Sequence, residues 1–484
     1  MDSKLLRGFG ARCALATIVV FFSSIAAAAE GDLDPRIGTD GVAILAPTPR
    51  SDLRAIGLRL TSDGFVIVGK AGDAMNIAAD GVLIRRAADG SADAAFAGDG
   101  TRQIPSSTGD DWLDAVAVQI DGKLVAVGAS YGRINHSSLI IRRLPDGSRD
   151  PSFGVDGALT PPILQTYEEA TAVDVAADGK VVFAGDAFDN SGASHPYVGR
   201  ATAAGQLDTS FAGSGRMLPA ISFSLSRTIT VRAFADGSAL VVATGTVSAD
   251  AVAVRLHANG TIDTSYGSAG FASTALLGAG ATAAISADGS CTFVGKAVAN
   301  GNLTAVRVAA GGALDAGFGS GGVATIAGTV TVRACAVDAA GGLAVTGITG
   351  SGSSSRIYVI RFDAHGALDA TFGSGGISLM DLGLASGAIA DPVAIGLRGD
   401  GSAIVVGSRS LEIAGGHQRS YVLAVRELAS GAIITAGRTV DAAGHELATT
   451  VRTTADGAVD PTYGVGGTGQ VLEARIARVA AAAI

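Results

Sequence analysis

The chain is poor in the residues that mark several common protein classes. Among its 484 residues it has three cysteines, one tryptophan and an aromatic content of 5%. Cysteines this sparse exclude a disulfide-stabilised scaffold, so buried apolar area must hold the fold. Acidic residues outnumber Lys and Arg by 44 to 35, which gives a net charge of −9. This balance argues against nucleic-acid binding, because phosphates require clustered basic residues.

Long apolar runs are also missing. The longest extends from Cys13 to Ala28, which is shorter than the roughly 20 residues needed to span a membrane. Three basic residues precede it and small residues follow it before Glu30, as in a secretory signal peptide. We therefore expect residues 1–29 to be removed, and we expect a periplasmic or extracellular protein without a membrane span.

Glycine is abundant, with 69 residues, and many of these glycines belong to a motif that recurs eight times. Each copy has Asp, then three residues later a large apolar residue, aromatic in seven copies, and then Gly, which follows directly in six copies and after one Ala in two. Six of the seven intervals between copies span 52–59 residues and the last spans 91. A repeat of this length indicates a propeller or an array. The copies begin at Asp34, Asp93, Asp150, Asp208, Asp263, Asp315, Asp369 and Asp460.

One interval shows what each repeat contains. The interval after Asp93 has four short stretches typical of strands, and Asp121-Gly122 between two of them is a strong hairpin signal. We group these stretches into one antiparallel blade, with the Asp-Gly hairpin as its second connection and the motif as the link between blades. The four stretches are Gly100 to Ile104, Ala115 to Val118, Leu124 to Val127 and Leu139 to Arg142.

The sequence therefore predicts an all-β fold, a β-propeller of seven four-stranded antiparallel blades. Residues 30–476 would form this single domain, and 477–484 would be a C-terminal tail. Strands at Val42–Leu45 and Val471–Ile476 would close the propeller and leave no exposed sheet edge. The long last interval predicts a hairpin inserted at about 421–447 in the last blade, and a degenerate eighth blade is the alternative.

An arginine lies eight residues before each motif Asp from the second copy onward. We expect each Arg to bind its Asp and so hold the motif turn against a strand. The motif aromatics would then fill the gaps between blades. A ring of guanidinium groups that binds an anion is the functional alternative. The pairs are Arg85 and Asp93, Arg142 and Asp150, Arg200 and Asp208, Arg255 and Asp263, Arg307 and Asp315, Arg361 and Asp369, and Arg452 and Asp460.

This arrangement resembles the bacterial delta-60 repeat family over nearly all of the chain beyond residue 29. The shared elements are a strand with Arg, a turn such as Ala88-Asp89-Gly90, the motif, and a glycine pair. The clearest copies are Arg361 to Gly376 and Arg142 to Gly157, whereas Ile37 replaces the aromatic in the first copy. The resemblance implies an exported, propeller-like protein of a family without established catalytic activity. Fold alone does not fix function.

Signals for catalysis or cofactors are weak. Residues 128–132 match a nucleophile elbow and 464–469 a dinucleotide loop, but both devices need a helix where this sequence predicts a strand. The six histidines lack metal-ligand spacing, and Asp40, Asp99 and Asp156 lie in turns without a chain of oxygen ligands. We therefore expect no cofactor and no metal. Cys291 and Cys335, in predicted strands of consecutive repeats, would form either a disulfide or two buried thiols.

The connections between strands fall into two sets. The Asp-Gly hairpins and the motifs are nearly constant and share one face of the propeller. The connections on the opposite face vary, and variable loops on a constant frame often carry binding. The candidate ligand-binding residues on that face are Trp112, Tyr131, Tyr167, His195, Tyr197, Phe223 and His417.

We interpret the chain as a monomeric, non-catalytic binding or scaffold protein that presents this variable face to a protein or a glycan. The alternative is a periplasmic hydrolase or lyase that uses carboxyl groups of the same face, since paired carboxyls can act as acid and base. The acids concerned are Asp110, Asp111, Glu168 and Glu169.

Overall fold

In the computed structural model, the described residues form antiparallel strands joined by turns. Among the described residues, no helix is long and apolar enough to cross a membrane. The described residues are 17–22, 42–45, 52–72, 79–105, 109–131, 136–164, 167–191, 193–219, 226–245, 251–328, 330–350, 356–380, 388–397, 403–413, 418–427, 433–440, 446–453 and 468–471.

Six sheets have four strands each, and each sheet is a consecutive meander along the chain. The first has β3 (Asp52–Leu60), β4 (Gly64–Gly72), β5 (Asp80–Ala87) and β6 (Thr101–Ile104), and the second has β7 (Asp111–Val118), β8 (Leu124–Tyr131), β9 (His136–Arg143) and β10 (Ala158–Leu159). The third has β11 (Tyr167–Val175), β12 (Val181–Phe188), β13 (Ser194–Ala201) and β14 (Arg216–Met217), and the fourth has β15 (Ser226–Ala233), β16 (Ala239–Gly245), β17 (Ala251–Leu256) and β18 (Phe271–Thr274). The fifth has β19 (Thr282–Ile285), β20 (Cys291–Lys296), β21 (Leu303–Val308) and β22 (Val323–Ile326), and the sixth has β23 (Thr331–Val337), β24 (Leu343–Thr349), β25 (Arg356–Phe362) and β26 (Ile377–Met380).

The remaining strands form one eight-stranded sheet that combines both ends of the chain. Its order is β2-β1-β28-β29-β30-β31-β32, and β27 also pairs with β28. β2, one of the two strands predicted to close the propeller, lies at one end of this sheet, and β32 lies at the other. Of the second predicted closing strand, Val471–Ile476, only Val471 lies among the described residues. Its strands are β1 (Thr17–Phe22), β2 (Val42–Leu45), β27 (Ala388–Leu397), β28 (Ala403–Ile413), β29 (Gln418–Glu427), β30 (Ile433–Val440), β31 (Glu446–Thr453) and β32 (Thr468–Val471).

The core consists of apolar layers between successive sheets. Between the first and second sheets, Val66 and Leu83 share a cluster with Leu113 and Leu124. The sixth sheet packs in the same way against β27 and β28, and the first sheet packs against β28. Sheets stacked through such layers are the architecture of a propeller, so the predicted all-β propeller with four-stranded antiparallel blades is confirmed.

The predicted division into blades was wrong by one strand. The stretch read as a blade's first strand, β6, pairs with β5 rather than with β7. The cause is the motif turn, which hydrogen-bonds back to the third strand: in the second sheet Arg142 N–H donates to Gly157 O at 2.9 Å. The motif thus joins the third and fourth strands of one sheet, and the Asp-Gly hairpin joins the first and second. The motif and the Asp-Gly hairpin each move by one connection relative to the prediction. The hairpins and motifs therefore still share one face of the propeller, and the variable connections still share the opposite face.

The repeated arginine connects neighbouring sheets as well as holding its own motif. Arg142 Nε donates to Asp150 at 2.8 Å, and its Nη1 donates to the carbonyl of Ala203 in the third sheet at 2.6 Å. The guanidinium also lies over the Phe153 ring, 4.6 Å from its centre. In each described motif the Asp accepts from the backbone N–H two residues later, for example Ser152 N–H at 3.0 Å, in an Asx turn.

Five of the predicted Arg–Asp pairs are ion pairs in the structure, and the others differ. Arg307 Nε donates to Thr292 Oγ1 at 3.1 Å, and its other nitrogens donate to the carbonyls of Ala364 and Gly341. The Arg452 side chain and Asp460 lie outside the described residues. The five ion pairs are Arg85 with Asp93 at 3.0 Å, Arg142 with Asp150 at 2.8 Å, Arg200 with Asp208 at 2.9 Å, Arg255 with Asp263 at 3.7 Å and Arg361 with Asp369 at 3.2 Å.

The motif aromatics lie against glycines of the next sheet. Phe153 is fully buried, and a Cβ at Gly205 would come within 2.7 Å of its ring. Gly205 also has a φ of +74°, a conformation that glycine adopts without strain. A turn glycine therefore provides the flat surface that each ring needs, which explains why the Gly of this turn accompanies the motif.

Candidate functional site

The innermost strands of the sheets surround a central channel of about 980 Å³. Residues of β3, β7, β11, β15, β19, β23 and β27 line it. This volume lies at the upper end of the range for small-molecule sites. The channel is therefore large enough to hold a small-molecule ligand.

Bulges in the innermost strands supply side chains to the channel. The pairing of β7 with β8 shifts between Leu113 and Ala115, so that Asp114 is the extra residue. The same irregularity makes Thr171 the extra residue of β11 and Arg333 that of β23. A bulge changes the direction of a side chain locally, and all three residues line the channel.

Glu169 organises the wall between the second and third sheets. The indole Nε1 of Trp112 donates to Glu169 Oε1 at 2.8 Å, and the hydroxyl of Tyr167 donates to Glu169 Oε2 at 3.0 Å. Trp112, Tyr167 and Glu169 all line the channel. The carboxylate therefore fixes the orientation of two aromatic rings that come from different sheets.

Asp114 lies beside Glu169 and forms a coupled pair with it. Burial, and next the negative charge of Glu169, raise the pKa of Asp114 well above its ordinary value. Oδ2 of Asp114 and Oγ1 of Thr171 are shielded from solvent and have no hydrogen-bond partner among the described residues.

His136, the first residue of β9, packs behind these rings. Its imidazole centre lies 5.6 Å from that of Trp112, 4.2 Å from Tyr131 and 4.2 Å from Tyr167. Phe188 extends the cluster, 5.0 Å from Tyr167. Burial lowers the pKa of His136, although the charges of Glu169 and Asp110 oppose this. At neutral pH a neutral imidazole therefore supports the aromatic wall.

The structure brings three of the predicted ligand-binding residues together and places two others elsewhere. Trp112, Tyr131 and Tyr167 meet around His136, on the connection face. His195 lies in the third sheet, where Nε2 is 3.1 Å from Asp189 Oδ2. Tyr197 is fully buried, with its hydroxyl 2.5 Å from Ser138 Oγ, so no part of it faces the solvent. Phe223 and His417 lie outside the described residues.

Of the four acids proposed for catalysis, only Glu169 lines the channel. Glu168 is fully buried and forms an ion pair with Arg216. Asp110 accepts from the backbone N–H of Ala79 at 2.8 Å. Asp111 is buried. Glu168 and Asp110 therefore hold backbone and core in place, and Asp114 takes the position beside Glu169.

Sequence reasoning missed Asp114 and His136. Asp114 stands two residues after Trp112, and a strand places such residues on the same side, so extending the predicted strand back from Ala115 would have indicated it. No comparable signal identifies His136, because its position depends on packing between two sheets. The sequence pattern also gives no sign of the cationic side chains that line the channel.

The cysteines and acids provide no disulfide or metal centre in the described part of the chain. Cys291 and Cys335 are free thiols, and burial raises the pKa of each to about 12. Cys335 lines the channel. No group of three or more His, Cys, Asp or Glu side chains among the described residues could hold a metal ion. Asp99 accepts from Thr101 N–H and Asp156 pairs with Arg149, so both have partners of their own.

Three segments of the chain match the family described as domain of unknown function (DUF5122) beta-propeller. They are residues 119–153, 176–211 and 341–372. Each runs from the first hairpin of a sheet, through its second and third strands, to the motif aromatic. No curated protein is significantly similar to the chain.

Solved structures with similar folds are distant in sequence. A protein of unknown function from Dyadobacter fermentans is 9% identical, with a TM-score of 0.39 over 75% of this chain and 97% of its own. Prolyl oligopeptidase B from Galerina marginata is 10% identical, with a TM-score of 0.38 over 82% and 55%. The β-propeller domain of the Trilobed protease from Pyrococcus furiosus is 8% identical, with a TM-score of 0.35 over 71% and 95%.

Proposed function

We propose that this protein is an exported, non-catalytic binding protein of the delta-60 repeat type that holds a glycan at the mouth of its channel. One observation carries the proposal: Trp112, Tyr131 and Tyr167 converge from three separate strand ends, next to a carboxyl pair and an open cavity. Aromatic faces beside fixed polar groups suit a sugar ring, which has both apolar and hydroxyl surfaces. The signal-like residues 1–29 support export.

We propose further that the propeller has seven blades. The apolar layers on both sides of β27 and β28 support this, because they leave these strands in the position of a seventh blade. After removal of residues 1–29, the seventh blade would contain β27, β28, β29 and β2. In this arrangement β2, which follows the first motif, would provide the fourth strand, as every other fourth strand follows a motif.

Strand β1 occupies the position that β29 would take in that blade. In the complete sheets the repeated Arg of the third strand lies opposite the second strand, as Arg142 lies opposite Val125. In the last sheet Phe22 of β1 lies opposite Ile404, at the equivalent position. β29 carries Arg426, which in this arrangement would take the place that the spacing of the repeat gives to Arg452. In the structure β29 pairs with β28 only at Leu411–Ile413. Removal of residues 1–29 would free the edge of β28 for β29, with a one-residue bulge to bring Arg426 opposite Ile404.

Thermal unfolding in the presence of neutral and acidic oligosaccharides tests the binding proposal. A ligand at 100 times its Kd stabilises the native state by about 2.7 kcal/mol. The rise in Tm should disappear in Trp112→Ala and persist in His195→Ala, a matched change on the same face outside the channel. A rise that survives Trp112→Ala would place the binding site elsewhere.

A hydrolase or lyase is the second candidate, and the Asp114–Glu169 pair favours it. Two carboxyl groups in the same cavity, one of them with a raised pKa, are a typical arrangement for general acid and base catalysis. In that case Asp114→Asn and Glu169→Gln should each abolish cleavage, and Asp114→Asn should leave binding of the oligosaccharide intact. Binding without cleavage by the unmodified protein would exclude this candidate for that ligand.

A further inference from the structure

The channel has a positive charge balance in a chain that is negative overall. Four cationic side chains line it against three carboxyl groups, and burial and the neighbouring Glu169 raise the pKa of one of these, Asp114. The whole chain, in contrast, has a net charge of −9. The cations that line the channel are Arg54, Arg59, Lys70 and Arg333, and the carboxyl groups are Asp114, Glu169 and Asp186.

Two of these cations lie together on the wall of the first sheet. Arg54 of β3 and Lys70 of β4 are directly paired residues in the ladder. Neither has a hydrogen-bond or ion-pair partner among the described residues, although the charge of Arg54 reaches Asp114. A guanidinium next to an ammonium is a common arrangement for holding a carboxylate or another oxyanion.

The aromatic wall of the second and third sheets lines the same channel. Trp112 and Tyr167 are held there by their hydrogen bonds to Glu169. Asp114 and Thr171 also line the channel, and Oδ2 of Asp114 and Oγ1 of Thr171 are shielded and have no hydrogen-bond partner in the described part of the chain. Buried polar atoms normally have partners, and the hydroxyl groups of a ligand would supply them.

From this combination we propose that the channel mouth binds an acidic saccharide, that is, a sugar ring that carries a carboxylate. The ring would lie against Trp112 and Tyr167, and the carboxylate would lie at Arg54 and Lys70. A neutral sugar would leave the two cations unpaired, and a simple inorganic anion would leave the aromatic wall unused. The inference rests on the proposed function, since it names the class of ligand for the same site.

Calorimetric titration of the protein, expressed from the full sequence including residues 1–29, tests the inference. The probes are trigalacturonate, its methyl ester, and sodium sulfate. Trigalacturonate should bind, and the ester and sulfate should bind at least tenfold more weakly. Because the interaction pairs opposite charges, the affinity for trigalacturonate should fall as the salt concentration rises.

Matched variants locate the binding. Arg54→Gln and Lys70→Gln should each weaken trigalacturonate binding by about tenfold, as expected for loss of one charge-assisted contact. Lys296→Gln is the control and should leave the affinity unchanged. Lys70 and Lys296 occupy equivalent positions in their sheets. Each stands four residues after the residue that pairs with the repeated Arg, which is Val66 for Lys70 and Thr292 for Lys296. Lys296 does not line the channel.

The possible results separate failure of this inference from failure of the proposed function. One result would be equal binding of trigalacturonate and its methyl ester that is lost in Trp112→Ala but not in Lys70→Gln. It would overturn the inference that the ligand is acidic and leave the proposed glycan site in place. Sulfate binding as tight as that of trigalacturonate and insensitive to Trp112→Ala would show a simple anion site and overturn both. Absence of binding to every probe and to neutral oligosaccharides would also overturn both.

Discussion

The indole N–H of Trp112, on the second sheet, donates to Oε1 of Glu169, on the third sheet, over a distance of 2.8 Å. This bond connects two sheets at the wall of the channel. It also joins the only tryptophan of the chain to the carboxyl pair that distinguishes this wall. The stability of the wall, its protonation and its optical signal should therefore depend on one another.

Trp112→Phe should destabilise the protein and weaken ligand binding. The change keeps an aromatic ring but removes the donor to Glu169, and losing a hydrogen bond to a charged group costs about 1.5–3 kcal/mol. Urea unfolding measures the change. Tyr131→Phe is the control, because no hydrogen-bond partner of the Tyr131 hydroxyl is seen in the described residues; equal effects of the two changes would contradict the assigned role of the Trp112 bond.

The Asp114–Glu169 pair should make stability fall as pH rises. The pKa of Asp114 is raised in the folded protein, so the folded state holds a proton that the unfolded chain releases above its pKa of about 3.9. The stabilisation is complete below that value and is lost as pH rises towards the folded pKa.

Comparison with Asp114→Asn isolates this effect. The free energy of unfolding of the unmodified protein, minus that of Asp114→Asn, should decrease between pH 4 and pH 8. The lowered pKa values of His136 and Asp150 act equally in both proteins and cancel in this difference. A difference that is independent of pH would show that Asp114 is ionised in the folded state.

Arg142→Gln should destabilise the protein by about 3 kcal/mol, because it leaves the buried Asp150 carboxylate without its main partner. The control is Arg149→Gln. Arg149 pairs with Asp156 on the surface, and loss of such a pair costs at most about 1 kcal/mol. Urea unfolding of both variants compares them, and equal losses would show that Arg142 does not clamp neighbouring sheets.

The seventh blade can be tested by hydrogen exchange on β28. If β29 replaces β1, backbone amides of Ala403–Ile413 should stay protected in a chain that begins at Glu30. Protection of these amides in the full chain serves as the reference. Rapid exchange of β28 after removal of residues 1–29 would show that β29 does not take the vacated position.

The repeated frame of this protein was predictable from sequence, because each blade uses the same local chemistry. The motif Asp, its aromatic and the Arg eight residues earlier recur at fixed spacing, and this spacing predicts strands and turns directly. The exact blade boundary was not predictable, because it depends on the return of the motif turn to the third strand by backbone hydrogen bonds.

The site was only partly predictable, since it is assembled from positions far apart in the sequence. Trp112, Tyr131 and Tyr167 were identified as aromatics in the variable connections between strands. The contribution of Asp114 depends on a bulge, and those of Arg54 and Lys70 depend on the arrangement of the innermost strands around the channel. The local pattern places Asp114 on the same side of the strand as Trp112, but it carries no information on the bulge or on that arrangement.

The central claim, that a glycan binds at the channel mouth, is tested most directly by the fluorescence of Trp112. Because Trp112 is the only tryptophan, its emission reports on this wall alone. Titration with the oligosaccharide that raises Tm should produce a saturable change in emission, with a Kd equal to the calorimetric value, and Glu169→Gln should weaken both. Calorimetric binding of that sugar with unchanged Trp112 emission would place the ligand elsewhere and contradict the account.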